Sequence, residues 1–253
     1  MSTPANQPRP ARRAVVTGAS SGIGEATVRH LVDAGYSVLA VARRRERLEG
    51  LAARTGCDIL AADITDDADV ARIAEAAGSV EVLVNNAGGA RGVESIAEAD
   101  LEKWRWMYEV NVVGTVRVTK ALLPALRASG GDVVVVSSIA ADVSYPGGGG
   151  YCAAKHAERV VSETLRLELV GEKVRIIDIA PGLVHTEEFS LRRLGGNQEA
   201  ADRVYAGVPD PLTADDVAEC IVWTVQRPRH VNIDRLVVKP VAQAAPHLVH
   251  RDQ

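Results

Sequence analysis

Ser138, Tyr151 and Lys155 stand thirteen and four residues apart, a hydroxyl, a phenol and an amine that together could move a proton. A tyrosine and a lysine at i and i+4 share one helix face. An ammonium beside a phenol favours the phenolate, which suits general acid–base chemistry. Taken alone, the pair reads better as a structural tyrosine beside a solvated lysine.

Two further clusters have chemical types. Thr17-Gly-Ala-Ser-Ser-Gly-Ile-Gly24 sets Gly18, Gly22 and Gly24 around Ser20, Ser21 and Ile23, where a strand hands over to a helix. A diphosphate reaches bare backbone N–H groups at a helix N-terminus only if no side chain blocks it, and glycine supplies both clearance and unusual dihedrals. A glycine turn used only for tight packing is the plainer alternative. After the second apolar run, Ala42 is followed by Arg43, Arg44 and Arg45. An acid at that strand end would accept ribose hydroxyls and repel a phosphate; here no acid stands there. The plainer alternative is three arginines opening a solvated helix, which fits Arg45 and Arg47 better than Arg43.

These groups need elements to position them. Apolar runs at 13–17, 37–42, 58–62, 80–84, 132–137 and 174–179 alternate with segments of helical spacing, and a seventh is expected at 235–239. Val- and Ile-rich strands separated by helices imply a parallel sheet covered on both faces. Helices are expected at 22–34, near 101–126, over 151–170 and at 213–226. The last begins with Thr213, Asp215 and Asp216, good starters of a helix. Asn85-Asn-Ala-Gly88 follows the fourth strand, at the carboxyl edge where such sheets bind ligands, although by itself it is only a good turn. Residues 1–12, with three prolines, read as a flexible leader before one domain at 13–253.

Composition narrows the class. The chain has 253 residues, 47% hydrophobic and 25% charged, enough for one α/β core. A net charge of −4 with scattered Lys and Arg argues against nucleic acid. No apolar run approaches the ~20 residues of a membrane span, so no membrane partner is expected and the protein is placed in the cytoplasm. Cys57, Cys152 and Cys220 have no paired or zinc-like spacing and read as free thiols, with no metal site. Cys152 falls off the Tyr–Lys helix face and is read as packing.

The glycine turn, Asn85-Asn-Ala-Gly88, Asn111, Ser138, Tyr151-x-x-x-Lys155 and Pro181-Gly-x-x-x-Thr186, in this order, resemble the single-domain short-chain dehydrogenase/reductase family over residues 13 to 240. The resemblance implies a Rossmann-like doubly wound α/β fold, with a parallel sheet of about seven strands and helices on both faces. It implies an oxidoreductase that moves a hydride between NADP(H) and the alcohol or carbonyl carbon of a small substrate. Tyr151 would be the acid/base and Lys155 would bind the nicotinamide ribose and keep the phenol ionisable. Ser138 would hold the reacting oxygen, and Asn111 would anchor a water linking Lys155 to solvent. Asp63, with Ile64, would face the adenine, Asn85 would lie beside its ribose with Ala87 and Gly88 near, and Thr186 would fix the carboxamide beside Pro181, Gly182 and Val184. A basic residue after the second strand marks NADP preference in the family, so Arg43 would grip the 2′-phosphate, supported by Arg44 and Ser20.

A non-catalytic NADP(H)-binding redox sensor is the alternative, but a sensor has no need of Asn111, Ser138, Tyr151 and Lys155 together. Epimerase or dehydratase chemistry would require a larger C-terminal domain than remains. The segments Pro181-Gly-Leu-Val184, Glu188-Phe-Ser190, His230-Val-Asn-Ile-Asp234 and Lys239-Pro-Val241 look similar to NADP-dependent 3-hydroxy acid dehydrogenases of the serine/allo-threonine type, and clavulanate-type reductases share some of that character. The resemblance suggests a small 3-hydroxy acid or its 3-oxo form, for whose carboxylate Arg193 or Arg192 of a lid at 183–211 is the candidate partner, although surface arginines on a loop helix are more often simply solvated. Family members pair through the helices near 101–126 and 151–170, which implies a homo-oligomer, tetramer or dimer. The tail from Val241 onward is open to lying across a neighbour.

Overall fold

A computed structural model describes residues 12–252; all but the last residue of the expected leader lies outside it. Seven parallel strands form one sheet in the order β3-β2-β1-β4-β5-β6-β7. They are β1 (Arg13–Thr17), β2 (Ser37–Ala42), β3 (Asp58–Ala61), β4 (Val82–Asn85), β5 (Asp132–Val136), β6 (Arg175–Pro181) and β7 (Arg235–Val238). The chain leaves β1 towards β2 and β3, then crosses back to lay β4 on the other side of β1. The crevice at that reversal is where an open α/β sheet takes its ligand.

Period-two alternation divides the core. Ala14, Val16, Val38, Ala40, Val84, Val134, Ile177 and Ile179 face one side, under α1 (Gly22–Asp33), α2 (Arg45–Thr55) and α9 (Ala214–Val225). Val15, Leu39, Val41, Leu83, Val133, Val135 and Ile176 face the other, under α3 (Asp67–Ala77), α5 (Gly114–Ser129) and the far part of α6 (Gly149–Glu168). Both faces being covered explains why the strands read as continuous apolar runs.

Three features depart from the expected elements. The helical stretch near 101–126 is two helices, α4 (Leu101–Tyr108) and α5, joined by a π turn at Glu109–Val113. The glycine run before Tyr151 is partly helical: Gly148 caps α6, and Gly149 and Gly150 belong to its first turn, packed on Trp104 and Met107. The lid at 183–211 carries α7 (Phe189–Arg193) and α8 (Gln198–Tyr205). The tail forms a hairpin, β8 (Gln243–Ala245) with β9 (Leu248–Val249), and folds back on its own chain, where Arg251 donates to the Val204 carbonyl and Asp252 N–H to Gly207. Among the described residues no helix is long and apolar enough to cross a membrane.

Candidate active site

A cleft of about 960 Å³ opens along the carboxyl ends of the strands, walled by the glycine turn on one side and by the lid on the other. Gly18, Ser20, Ser21, Gly22 and Ile23 line its floor, Arg43, Arg44, Asp63 and Ile64 one end, and Ala87 and Gly88 the middle. Ser138, Tyr151 and Lys155 line the other end with Pro181, Gly182, Val184 and Thr186.

Three expected site residues stand behind this wall. A Cβ on Gly24 would come 2.4 Å from the Gly18 carbonyl, so that glycine lets α1 press against the turn rather than touch a ligand. Asn85 does not face the cleft: its amide is buried and donates to Thr119 at 2.8 Å, while its neighbour Asn86 reaches the wall and donates to the Thr17 carbonyl. Asn111 sits in the π turn, where its amide donates to the carbonyls of Gly89 and Met107 and accepts from Gly89 N–H. It braces the Asn-Ala-Gly turn and makes no direct bond to Lys155.

Backbone geometry at the glycine turn fits a diphosphate. Gly18 has φ +68°, and a Cβ there would lie 2.8 Å from Ala87 Cα. Ser21 caps α1 in an extended conformation without using its side chain on the helix, so the first-turn N–H groups stay directed at the cleft. Arg44, at the start of α2, donates to Ser20 Oγ at 2.9 Å and Ser21 Oγ at 3.0 Å, and pairs with both oxygens of the lid residue Glu188 at 2.5 and 2.9 Å. The lid carboxylate is thus held by Arg44 and Ser21 at the mouth of the glycine turn. Burial opposes ionisation of Glu188, but Arg44, Ser21 and Arg192 outweigh it and hold its pKa below the ordinary value. Arg43 projects further out, 57% exposed, with Nη1 3.7 Å from Asp63.

At the other end, Tyr151 is buried with its ring edge-on to Phe189, centroids 5.8 Å apart. Lys155 Nζ lies 5.9 Å and Arg193 Cζ 5.6 Å from the centre of that ring. Ser138 caps the short turn at Ile139–Ala141, accepting from Ala140 N–H at 3.1 Å. Ser137, at the end of β5, donates to Asp178 of the neighbouring β6. Cys152 packs beneath Val143, and burial pushes its thiol up, away from nucleophile chemistry.

Lys155 itself departs from expectation. It is buried and donates to the Val136 carbonyl at 3.1 Å and to Glu158 at 2.6 Å. Burial alone would discharge the amine, but Glu158, then Tyr151 and Asp178, hold its pKa above the usual lysine value. Glu158 was not among the expected site residues. Its signal was present, because a residue three beyond Lys155 shares the Tyr–Lys face.

The family model described as short chain dehydrogenase matches residues 12–193. Serine 3-dehydrogenase of Agrobacterium fabrum is 42% identical over 236 residues, spanning 91% of this chain and 94% of that protein. Sulfoacetaldehyde reductase of Chromohalobacter salexigens is 42% identical over 239 residues, spanning 90% and 94%. The solved closed form of a serine dehydrogenase complexed with NADP+ superposes with a TM-score of 0.89 at 36% identity, covering 95% of this chain and all of that one. With a doubly wound sheet, a glycine turn at its switch point and relatives matched over nine-tenths of its length, the chain belongs to the short-chain dehydrogenase family.

Proposed function

We propose that this chain is an NADP(H)-dependent oxidoreductase acting at the alcohol or carbonyl carbon of a small anionic substrate, a 3-hydroxy acid or its 3-oxo form. The observation that carries the reading is one cleft holding an anion cradle at Ser20, Ser21 and Arg44, and a phenol at Tyr151 with Arg193 against its ring. NADP+, when bound, supplies the hydride acceptor, and NADPH the donor. Tyr151 takes the substrate's hydroxyl proton in oxidation and returns it in reduction, while Ser138 hydrogen-bonds the reacting oxygen. Lys155, already donating to Val136 and Glu158, would hold a ribose hydroxyl of the bound cofactor with its remaining N–H.

Arg193 is the better anion anchor of the two arginines. Arg192 is half-exposed and engaged with Glu188 at 2.8 Å. Arg193 is fixed by Tyr145 Oη at 2.9 Å and the carbonyls of Gly92 and Gly147, which leaves two of its five N–H hydrogens free. Tyr145 remains a neutral acceptor beside it, because burial pushes its ionisation up further than Arg193 pulls it back. The substrates named for the serine and sulfoacetaldehyde relatives both carry an anionic group. Three free cysteines suit a reducing cytoplasm. Exposed apolar residues on α5 and α6 suit a homo-oligomer.

Turnover with NADP(H), measured on serine, a simple 3-hydroxy acid, sulfoacetaldehyde and isopropanol, tests the reading. Arg193→Ala should weaken use of the anionic substrates by roughly 10- to 150-fold, one charge-assisted bond, and leave isopropanol within about twofold. Equal losses on both kinds would remove the anchor. A protein that binds NADPH but turns over none of the panel would favour the sensor.

A further inference from the structure

The core side of Lys155 holds more charge than its role requires. Glu158, three residues further along α6, has its side chain 1% exposed and accepts the Lys155 ammonium at 2.6 Å. Thr115 of α5 donates to the other carboxylate oxygen at 3.4 Å. From β6, Asp178 faces the pair; it takes the Ser137 hydroxyl and lies 3.0 Å from Arg235 Nε of β7. Arg235 is paired in turn with Asp142, which also holds Arg159 of α6. Tyr151 closes the set on the cleft side. The Lys155 ammonium therefore sits between the phenol and a carboxylate, with no route to solvent through Glu158.

Such a pair is weak evidence for stability, since desolvating two charges costs about as much as their attraction returns. Its consequence for the phenol is clearer. A carboxylate in contact with the ammonium keeps the buried amine from losing its proton, and it also cancels part of the positive field that reaches Tyr151. We propose that Glu158 is a positioning residue for the catalytic centre: its carboxylate keeps Lys155 protonated and aimed at Tyr151, and thereby sets the pH range in which Tyr151 exchanges its proton. The inference rests on the acid/base reading of Tyr151 and Lys155 given above. Burial pushes the Glu158 carboxyl up from its ordinary value, against the pull of Lys155.

The sign follows from charge alone. Removing a negative charge favours the deprotonated form of every acid nearby, so Glu158→Gln makes both the phenol and the ammonium easier to deprotonate. Both limbs of the pH profile of kcat/KM for serine oxidation should move to lower pH, by about one unit or more. Glu158→Asp keeps the charge at shorter reach and should move them the same way by less. The phenolate absorbance that Tyr151→Phe removes, titrated in the cofactor-free protein, should shift with the acid limb. If the limbs and the absorbance titration stay in place while only melting temperature falls, Glu158 is a structural ion-pair partner and the proposal is wrong. If Glu158→Gln fails to fold, an unmoved Glu158→Asp profile overturns it equally. Full activity in Tyr151→Phe would instead remove the acid/base reading beneath it, and the absorbance titration would still decide whether Glu158 governs the phenol.

Discussion

Tyr151 can be tested one atom at a time. Its ring is held by Phe189 at 5.8 Å and by Met107, Ala90 and Cys152 of a small apolar cluster, so Tyr151→Phe keeps the packing and removes only the ionisable oxygen. The expected result is a fall in kcat of roughly 10²- to 10⁴-fold, the usual worth of a general acid–base group. NADPH affinity by fluorescence titration should stay within about threefold of wild type. Retention of most of kcat would show that the proton moves elsewhere, and lost stability with the proportionate loss of binding would make the tyrosine a packing residue. At this scale the sequence was informative where a residue type has one chemical use. Ser138, Tyr151 and Lys155 all reach the cleft wall, at the spacing that drew attention to them. It was less informative for Asn85 and Asn111, whose amides serve Thr119 and the Gly89 turn. An asparagine's partner is fixed by tertiary packing, which a tetrapeptide does not encode. Glu158 was overlooked because a glutamate on a helix is usually solvated, and only the burial of α6 against α5 and the sheet makes it a partner of Lys155.

Between elements, the decisive contact is the lid's Glu188 on Arg44. It ties the start of α7 to the start of α2 across the cleft, using both oxygens of one carboxylate and the side chain of Ser21. Because its pKa is depressed in the folded chain, the tie's contribution is fully present above the ordinary carboxylate value of about 4.5 and is lost as pH falls through the lower folded value. Glu188→Gln should therefore quicken hydrogen exchange in 187–205 at neutral pH, with wild type approaching the variant only in acid; indistinguishable exchange at neutral pH would show that other contacts hold the lid. The same arginine lines the end of the cleft proposed to take the cofactor phosphate. Arg44→Ala, and more mildly the exposed Arg43→Ala, should raise KM for NADPH by roughly 10- to 150-fold per charge-assisted bond while barely moving that for NADH. Comparable use of the two cofactors by wild type would refute the phosphate cradle. The strands were readable because Val and Ile runs covered on both faces have no other common use. The π turn at Glu109–Val113 was not, since it changes hydrogen-bond register without changing composition, and helical spacing continues through it. Nor were the lid helices, whose five and eight residues are too short to show a period.

On the whole molecule, the apolar side chains left in water include two groups on regular elements, apart from those on the 93–101 segment, the lid and the tail. Tyr108, Val116, Val160 and Leu167, between 40% and 74% exposed, lie on α4, α5 and α6, the helices that also build the Tyr151 end of the cleft. Trp223 on α9 and Val237 on β7 are 43% and 46% exposed at the opposite edge, where β7 ends the sheet with one side unpaired. An open strand edge and an apolar helix pair are both surfaces that closed symmetry can bury. Two such faces on one chain predict a tetramer, and one of them in use predicts a dimer. The tail does not need to cross to a neighbour to be satisfied, because Arg251 and Asp252 already bond the end of α8 in their own chain. Light scattering at micromolar concentration should give a multiple of the 26.8 kDa chain mass. Val160→Glu places a charge on the exposed apolar face of α6 and should split a tetramer into dimers, with NADPH still bound by each subunit. Loss of activity on splitting would locate part of the centre's rigidity in that contact, since α6 carries Tyr151, Lys155 and Glu158. A wild-type monomer in solution would leave both faces without a partner of the same chain and overturn the expectation.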